Sequence, residues 1–245
     1  GSTTGGKLNH RRVIVAVVAD IHSGLEYALM NPETVLMKEG REGLIPYSPV
    51  MTESQEWLWE CWTKDLGELN YLIGDDQGIC ILNGDIHQGN KHPSMLVSDR
   101  IADQIVIARY NLTPLMRLKQ IIAVRSAIGT EAHNFGKASA EILLMDQLKA
   151  MYPAKDIENV YHGWLDVDGF GIDYAHHGPY PGSREWLRGN VAILYLRDIM
   201  IRNGGRGRKP PDAVLRAHYH QWLSVTTSMT ASSSALRSAA HHVRR

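Results

Sequence analysis

The chain predicts an α/β fold, on three observations. Short β-branched runs of strand length alternate with longer segments of helical period. Five of those runs end in Asp, Glu or His at the same relative place. A tight-turn dipeptide, Asp168-Gly169, divides one alternating segment and marks a hairpin.

Residues 12–19 (RVIVAVVA) read as a buried strand, and 25–51, with Pro32, Pro46 and Pro49, as loop. From Thr52 to Ile73, Leu58, Trp62, Leu69 and Leu72 fall at helical spacing with charges between them. Residues 78–83 (GICILN) give a second buried strand, 98–118 a helix and 120–125 (QIIAVR) a third strand. Lys137 to Met151 is another amphipathic helix, stopped by Pro153. Residues 160–175 alternate about Asp168-Gly169, and Ser183 to Asn203 reads as a helix closed by Gly204-Gly205. Residues 212–217 (DAVLRA) and 221–227 supply the last strands. With no repeat and no linker, one domain is expected over 12–227, between a flexible N-terminus, 1–11, and a mobile Ser/Ala-rich tail, 228–245.

Lys plus Arg and Asp plus Glu number 26 each, so no global field recruits nucleic acid or an anionic membrane; any attraction must be local. Cys61 and Cys80 stand apart, form no CxxC pair, and point to a reducing compartment. The longest apolar run, Val13 to Ala19, is far short of a membrane span, and GSTTGGKLNHRR has no apolar core of a signal peptide. A cytoplasmic protein with no membrane association is expected.

The chemistry lies at the strand ends. After 12–19 comes DIHSG, with Asp20 and His22; after 78–83 comes GDIHQGN, with Asp85 and His87. After 120–125 comes SAIGTEAHN, with Thr130, Glu131 and His133. The hairpin ends in DYAHHGP, with His176 and His177, and 212–217 runs into HYHQW, with His218 and His220. In an open α/β sheet, ligands bind beyond the carboxyl ends of the strands. Asp and His there form a mixed oxygen and nitrogen set suited to a divalent metal. In an extended chain, Asp-x-His puts both side chains on one face.

D-x-H, then G-D, then a Gly-led turn with a His, then a His pair, then H-x-H resembles the calcineurin-like metallophosphoesterase superfamily, from Asp20 to His220. GTEAHN, LNGDIHQGN, WLDVDGFGIDYAHHGP and LRAHYHQW resemble a phage and prophage branch of it, which implies the cytoplasm of a host cell. The resemblance implies a four-layer α/β/β/α sandwich with two divalent metal ions per chain. Asp20, His22, Asp85 and His220 would hold one ion. Asp85, His218 and one of His176 or His177 would hold the other; a one-residue slip reverses which of that pair faces inward, so the sequence leaves both open. The ligand set suits Mn²⁺, Zn²⁺, Fe or Ni²⁺, and the resemblance favours Mn²⁺.

The third motif departs from the usual Gly-Asn-His. Thr130 aligns with the Asn that ligates the second metal, so Glu131 is expected to replace it. The usual catalytic His is displaced too, which makes His133 the candidate general acid, with His87 behind it. The activity implied is hydrolysis of a phosphodiester in a nucleotide or nucleic acid by hydroxide attack at the metal pair, with Asp85 central. Two alternatives stand beside it: a phosphomonoesterase, and a weak or silent scaffold that keeps the fold.

The basic segment 202–209 (RNGGRGRK) is either a phosphate contact or a solvated loop. Trp57, Trp59 and Trp62 are core, or in part a base-stacking surface. A second sheet ending so soon after His220 would leave an open edge, which a homodimer is expected to cover. A zinc deaminase signature and a nucleophile elbow are both absent from the sequence.

Overall fold

The computed structural model describes residues 12–91, 95–131, 133, 139–182, 184–228 and 235–238. Strand β1 (Val13–Val18) leads to a hairpin, β2 (Leu36–Gly40) and β3 (Gly43–Tyr47), and then to helix α1 (Glu53–Ile73). Strand β4 (Gln77–Asn83), helix α2 (Ile101–Arg117), strand β5 (Ile121–Ala127), helix α3 (Ser139–Met151) and strand β6 (Asp156–Val160) then alternate. A second hairpin, β7 (His162–Val167) and β8 (Phe170–Ala175), precedes helix α4 (Arg188–Gly205) and strands β9 (Ala213–Leu215), β10 (Val225–Ser228) and β11 (Ala235–Ser238).

β1, β4, β5 and β6 pair in that order and all in parallel, because each crossover carries a helix. The alternation of their side chains then decides two packing faces. Cys80, Leu82 and Val124 meet Trp62, Leu66, Leu112 and Leu144 of the three helices. Val15, Val17 and Ile81 turn the other way and meet Leu165, Ile172, Tyr174 and Leu215 of the second sheet. A parallel sheet covered on both faces explains why these strands read as continuous apolar runs. The second sheet orders β10, β11, β9, β8, β7. Its outer residue Val214 packs on Leu196 and Met200 of α4.

Local chemistry explains most boundaries. Thr52 caps α1 through a reciprocal capping box with Gln55. Trp62, Leu66 and Ile73 form its buried stripe, whereas Leu72, expected inward, is exposed. Asp168 (φ 50°) and Gly169 (φ 86°) make the β7–β8 turn with the paired positive φ of the favoured two-residue hairpin.

Three elements differ from the sequence expectations. The hairpin β2–β3 lies inside the expected loop; Pro46 is tolerated because a two-stranded ribbon leaves its missing N–H unneeded. Strand β6 was hidden by its acidic residues, which pair with Arg125 on β5: Asp156 directly, and Glu158 at 3.5 Å. The expected boundary at 227 falls within β10, and the expected mobile tail contributes β11, which sits between β9 and β10. The edge beside β9 is thus covered by β11 of the same chain, and β10 becomes the outer strand on that side of the sheet. Residues 1–11 lie outside those described. No helix among the described residues is long and apolar enough to cross a membrane.

Candidate metal centre

The loops after β1 and β4 run side by side. Asp20 N–H donates to Gly84 O (3.1 Å), His22 N–H to Asp85 O (3.0 Å) and Ser23 N–H to Ile86 O (2.8 Å). These are not extended strands that simply overrun. Seven non-glycine residues among those described take a positive φ, and five of them are Asp20, His22, Asp85, His218 and His220, at 49° to 78°. Left-handed backbone costs L-residues free energy and persists where surrounding structure imposes it, often at functional sites. Curled backbone, rather than the one-face alternation of an extended strand, brings Asp20 and His22 together.

Asp20, His22 and His220 form one group whose ligand atoms lie within 4.8 Å of one another. His22 Nε2 and His220 Nε2 are 3.1 Å apart, and His220 Nε2 is 3.3 Å from Asp20 Oδ1. Burial, with the neighbouring His133 and His220 adding to it against the pull of Asp85, lowers His22 to about 4, so it is neutral at pH 7. Asp20 Oδ1 is buried and accepts no hydrogen bond. Ring nitrogens crowded against an unpaired carboxylate oxygen are a donor set that a cation satisfies.

Asp85, His176 and His218 form a second group, and Asp85, His22 and His133 a third. Asp85 Oδ2 lies 2.9 Å from His176 Nε2 and 3.8 Å from both His133 Nε2 and His218 Nδ1. Burial would raise the Asp85 carboxyl, but the hydrogen bond and charge of His176, with the Thr130 N–H, hold it well below the carboxylate range. Burial likewise opposes charge on His176, yet Asp85 lifts that imidazole above its ordinary value. His176 Nδ1 donates to Asn83 O (2.7 Å), and His133 Nδ1 donates to Gln88 O (2.6 Å). Each carbonyl fixes the tautomer that presents Nε2 to Asp85, the arrangement usual for metal-ligating histidines.

The structure sets His176, and not His177, beside Asp85. His177 is exposed, its ring edge-on to His176 and beside His218, and burial with those two neighbours lowers its pKa. Glu131 is exposed and joins none of the three groups. Thr130 holds the place instead: its N–H donates to Asp85 Oδ1 (2.6 Å) and its hydroxyl to Asp85 Oδ2 (3.0 Å), with His218 Nδ1 3.2 Å away. His87 is buried, makes no hydrogen bond through either ring nitrogen, and is held neutral down to about 3 by burial.

The sequence reading passed over Glu141. Wholly buried on α3, it accepts Ile86 N–H (3.4 Å) and Gly129 N–H (2.8 Å), tying the second and third motif loops together. Only an amphipathic pattern with an inward carboxylate could have signalled it. Gly129 is required by the same closeness, since a Cβ there would lie 2.2 Å from Asp85 N and Oδ1. The basic segment 202–209 is not beside the site. Lys209 binds Gly169 O and Asp212, at the hairpin turn, roughly 20 Å along β8 from His176 at about 3.3 Å per residue. Trp62 is buried, Trp59 packs on the core and Trp57 is half-exposed.

No family model matches the chain, and no curated protein matches it. Among solved structures it is similar to a protein of unknown function from Aquifex aeolicus, with 10% identity over 86% of this chain and 81% of that one and a TM-score of 0.36. A likeness at that level carries no argument.

Proposed function

We propose that the chain is a metal-dependent phosphodiesterase of the calcineurin-like metallophosphoesterase type, hydrolysing a phosphodiester of a nucleotide or nucleic acid. One observation carries this reading: five of the six residues in the Asp20–His22–His220 and Asp85–His176–His218 groups sit on left-handed backbone. A surface with no ligand to hold has no use for that cost. The succession of helices, parallel sheet, second sheet and α4 supports the four-layer α/β/β/α sandwich this type adopts.

The donor set fits two divalent ions, Mn²⁺ favoured, one held by Asp20, His22 and His220 and the other by Asp85, His176 and His218. When bound, such a pair supplies Lewis acidity and brings the pKa of water toward neutrality. The residues do the rest. Asp85 belongs to two of the groups and ties them electrostatically. His133, its Nδ1 hydrogen committed to Gln88 O, can give a proton from Nε2 to the leaving alkoxide as the imidazolium, with both ring nitrogens carrying hydrogen, and returns to the neutral Nδ1–H tautomer once it has done so. Such help is typically worth about 10² to 10⁴ in rate. His87 is given no proton to move, because burial keeps it neutral and its ring nitrogens touch no partner.

Turnover of bis(p-nitrophenyl) phosphate against p-nitrophenyl phosphate, with metal per chain measured on the same Mn²⁺-loaded sample, tests the reading. Two ions per chain and faster diester cleavage are expected. Faster monoester cleavage makes it a phosphomonoesterase. Thr130 standing where the usual amide ligand would be favours a second reading, a weak or silent scaffold; bound metal with no turnover of either ester would establish that one.

A further inference from the structure

A cavity of about 380 Å³ opens directly beside the first ligand group, sharing Asp20, His22 and His220 as part of its wall. Its size falls at the lower end for small-molecule sites, about 300–1,000 Å³, and suits one nucleoside rather than a duplex. Its floor is apolar, built from Leu29, Leu58, Trp62 and Leu215. Two half-exposed aromatic side chains, Tyr27 and Trp222, stand in its wall.

Charge decides what kind of group the cavity accepts. Among the described lining residues, Arg216 is the one Arg or Lys, and its guanidinium is committed to Asp173 at 2.6 Å and to the Tyr195 hydroxyl at 2.9 Å. A second phosphate would find no uncommitted strong cation there. Asn83 and Gln221 are the amide residues of the wall; Asn83 is buried with its Oδ1 shielded, and Gln221 is exposed, so the Gln221 side chain is the amide open to an occupant. Aromatic faces beside an amide are a combination that receives a flat heterocycle, the rings stacking on it and the amide pairing with its edge.

Resting on the phosphoesterase reading and deepening it, we infer that this cavity holds the nucleobase of a small nucleotide diester whose phosphate lies at the Asp20–His22–His220 group. The substrate is then a mononucleotide ester, not a polynucleotide whose backbone must be tracked by cations. Tyr27 and Trp222 set this specificity, and neither is a ligand.

Adenosine, which has no phosphate, probes the cavity without any turnover. Equilibrium dialysis of labelled adenosine against the metal-free chain should show saturable binding, weakened about 5- to 100-fold in Trp222→Ala and Tyr27→Ala, as loss of base stacking predicts. Both side chains are half-exposed, so folding is not at risk, and unchanged circular dichroism checks it. No adenosine binding, equal binding by the variants, or preferential binding of hexanol would overturn the inference. Methyl p-nitrophenyl phosphate separates the two readings. Its hydrolysis without adenosine binding sinks the cavity assignment alone, and adenosine binding without its hydrolysis sinks the hydrolase and leaves the cavity assignment standing.

Discussion

Asp20-Ile21-His22-Ser23-Gly24 and Asp85-Ile86-His87-Gln88-Gly89 follow the same pattern, D-I-H-x-G, after two neighbouring parallel strands. Both aspartates take φ near 50°, and the two loops hydrogen-bond to each other. The histidines then part. His22 also takes a positive φ (49°) and swings into two ligand groups, whereas His87 does not and is buried without a partner. Identical side chains at identical spacing thus have opposite fates. Backbone conformation one residue at a time, not the motif, decides which imidazole joins a candidate ligand group.

The largest effect should come from breaking the shared element of the comparison. Asp85→Ala removes the carboxylate common to the second and third groups, and should lower turnover more than about 10³-fold while reducing metal per chain well below that of Asp20→Ala. Plasma mass spectrometry on desalted, Mn²⁺-loaded protein measures the second quantity. Equal losses from the two substitutions would mean that Asp85 is no more central than Asp20.

The histidines come next. His22→Gln should cost about 10² or more in turnover and reduce bound metal, because it empties a position in two groups. His87→Leu should leave turnover within about threefold and stability unchanged or raised, since it removes two buried ring nitrogens that have no partner. A rate loss in His87→Leu matching that of His133→Gln would return the general-acid role to His87.

Acid sharpens the same contrast. In the metal-free chain both histidines are neutral when folded, with values lowered by burial to about 4 and about 3 from 6.5. Between pH 6.5 and about 4 the unfolded chain binds more protons, so stability is present above that window and lost as pH falls through it. The slope is about 1.4 kcal/mol per pH unit for each histidine. His176 works the other way: its raised value stabilises the fold at low pH, an effect lost as pH rises. Urea midpoints at pH 7 and pH 5 should therefore differ less in His87→Leu than in the parent chain. An unchanged difference would show that His87 is not held neutral.

Much of this was legible in the sequence, and the reason is chemical. Asp20, His22, Asp85, His218 and His220 were legible because each closes an apolar strand, where a polar residue has no packing role to explain it. The α/β alternation was legible for the same contrast of periods. What escaped depended on partners far along the chain. β6 needs Arg125 to neutralise its acids, Glu141 needs two distant backbone N–H groups, and Tyr27 and Trp222, far apart in the chain, line one cavity. The choice between His176 and His177 turns on one residue of register, and pattern alone cannot supply that.

The finest distinction lies at the third motif, between adjacent residues. Glu131 is the stronger ligand by chemistry, and on that ground the sequence favoured it. Thr130 is the one that reaches Asp85, through both its N–H and its hydroxyl, while Glu131 faces solvent. Glu131→Gln should therefore leave metal per chain and turnover unchanged. Thr130→Val keeps the N–H and the shape but deletes the hydroxyl bond to Asp85, so a loss of about 10- to 100-fold in affinity for the more weakly held ion is expected, in line with a hydrogen bond to a charged group of about 1.5–3 kcal/mol. Thr130→Asn, which restores the amide of the usual motif, should raise that affinity above the parent. If Glu131→Gln lowers binding and Thr130→Val does not, the exposed carboxylate is the working ligand, and the loop must turn over when metal arrives.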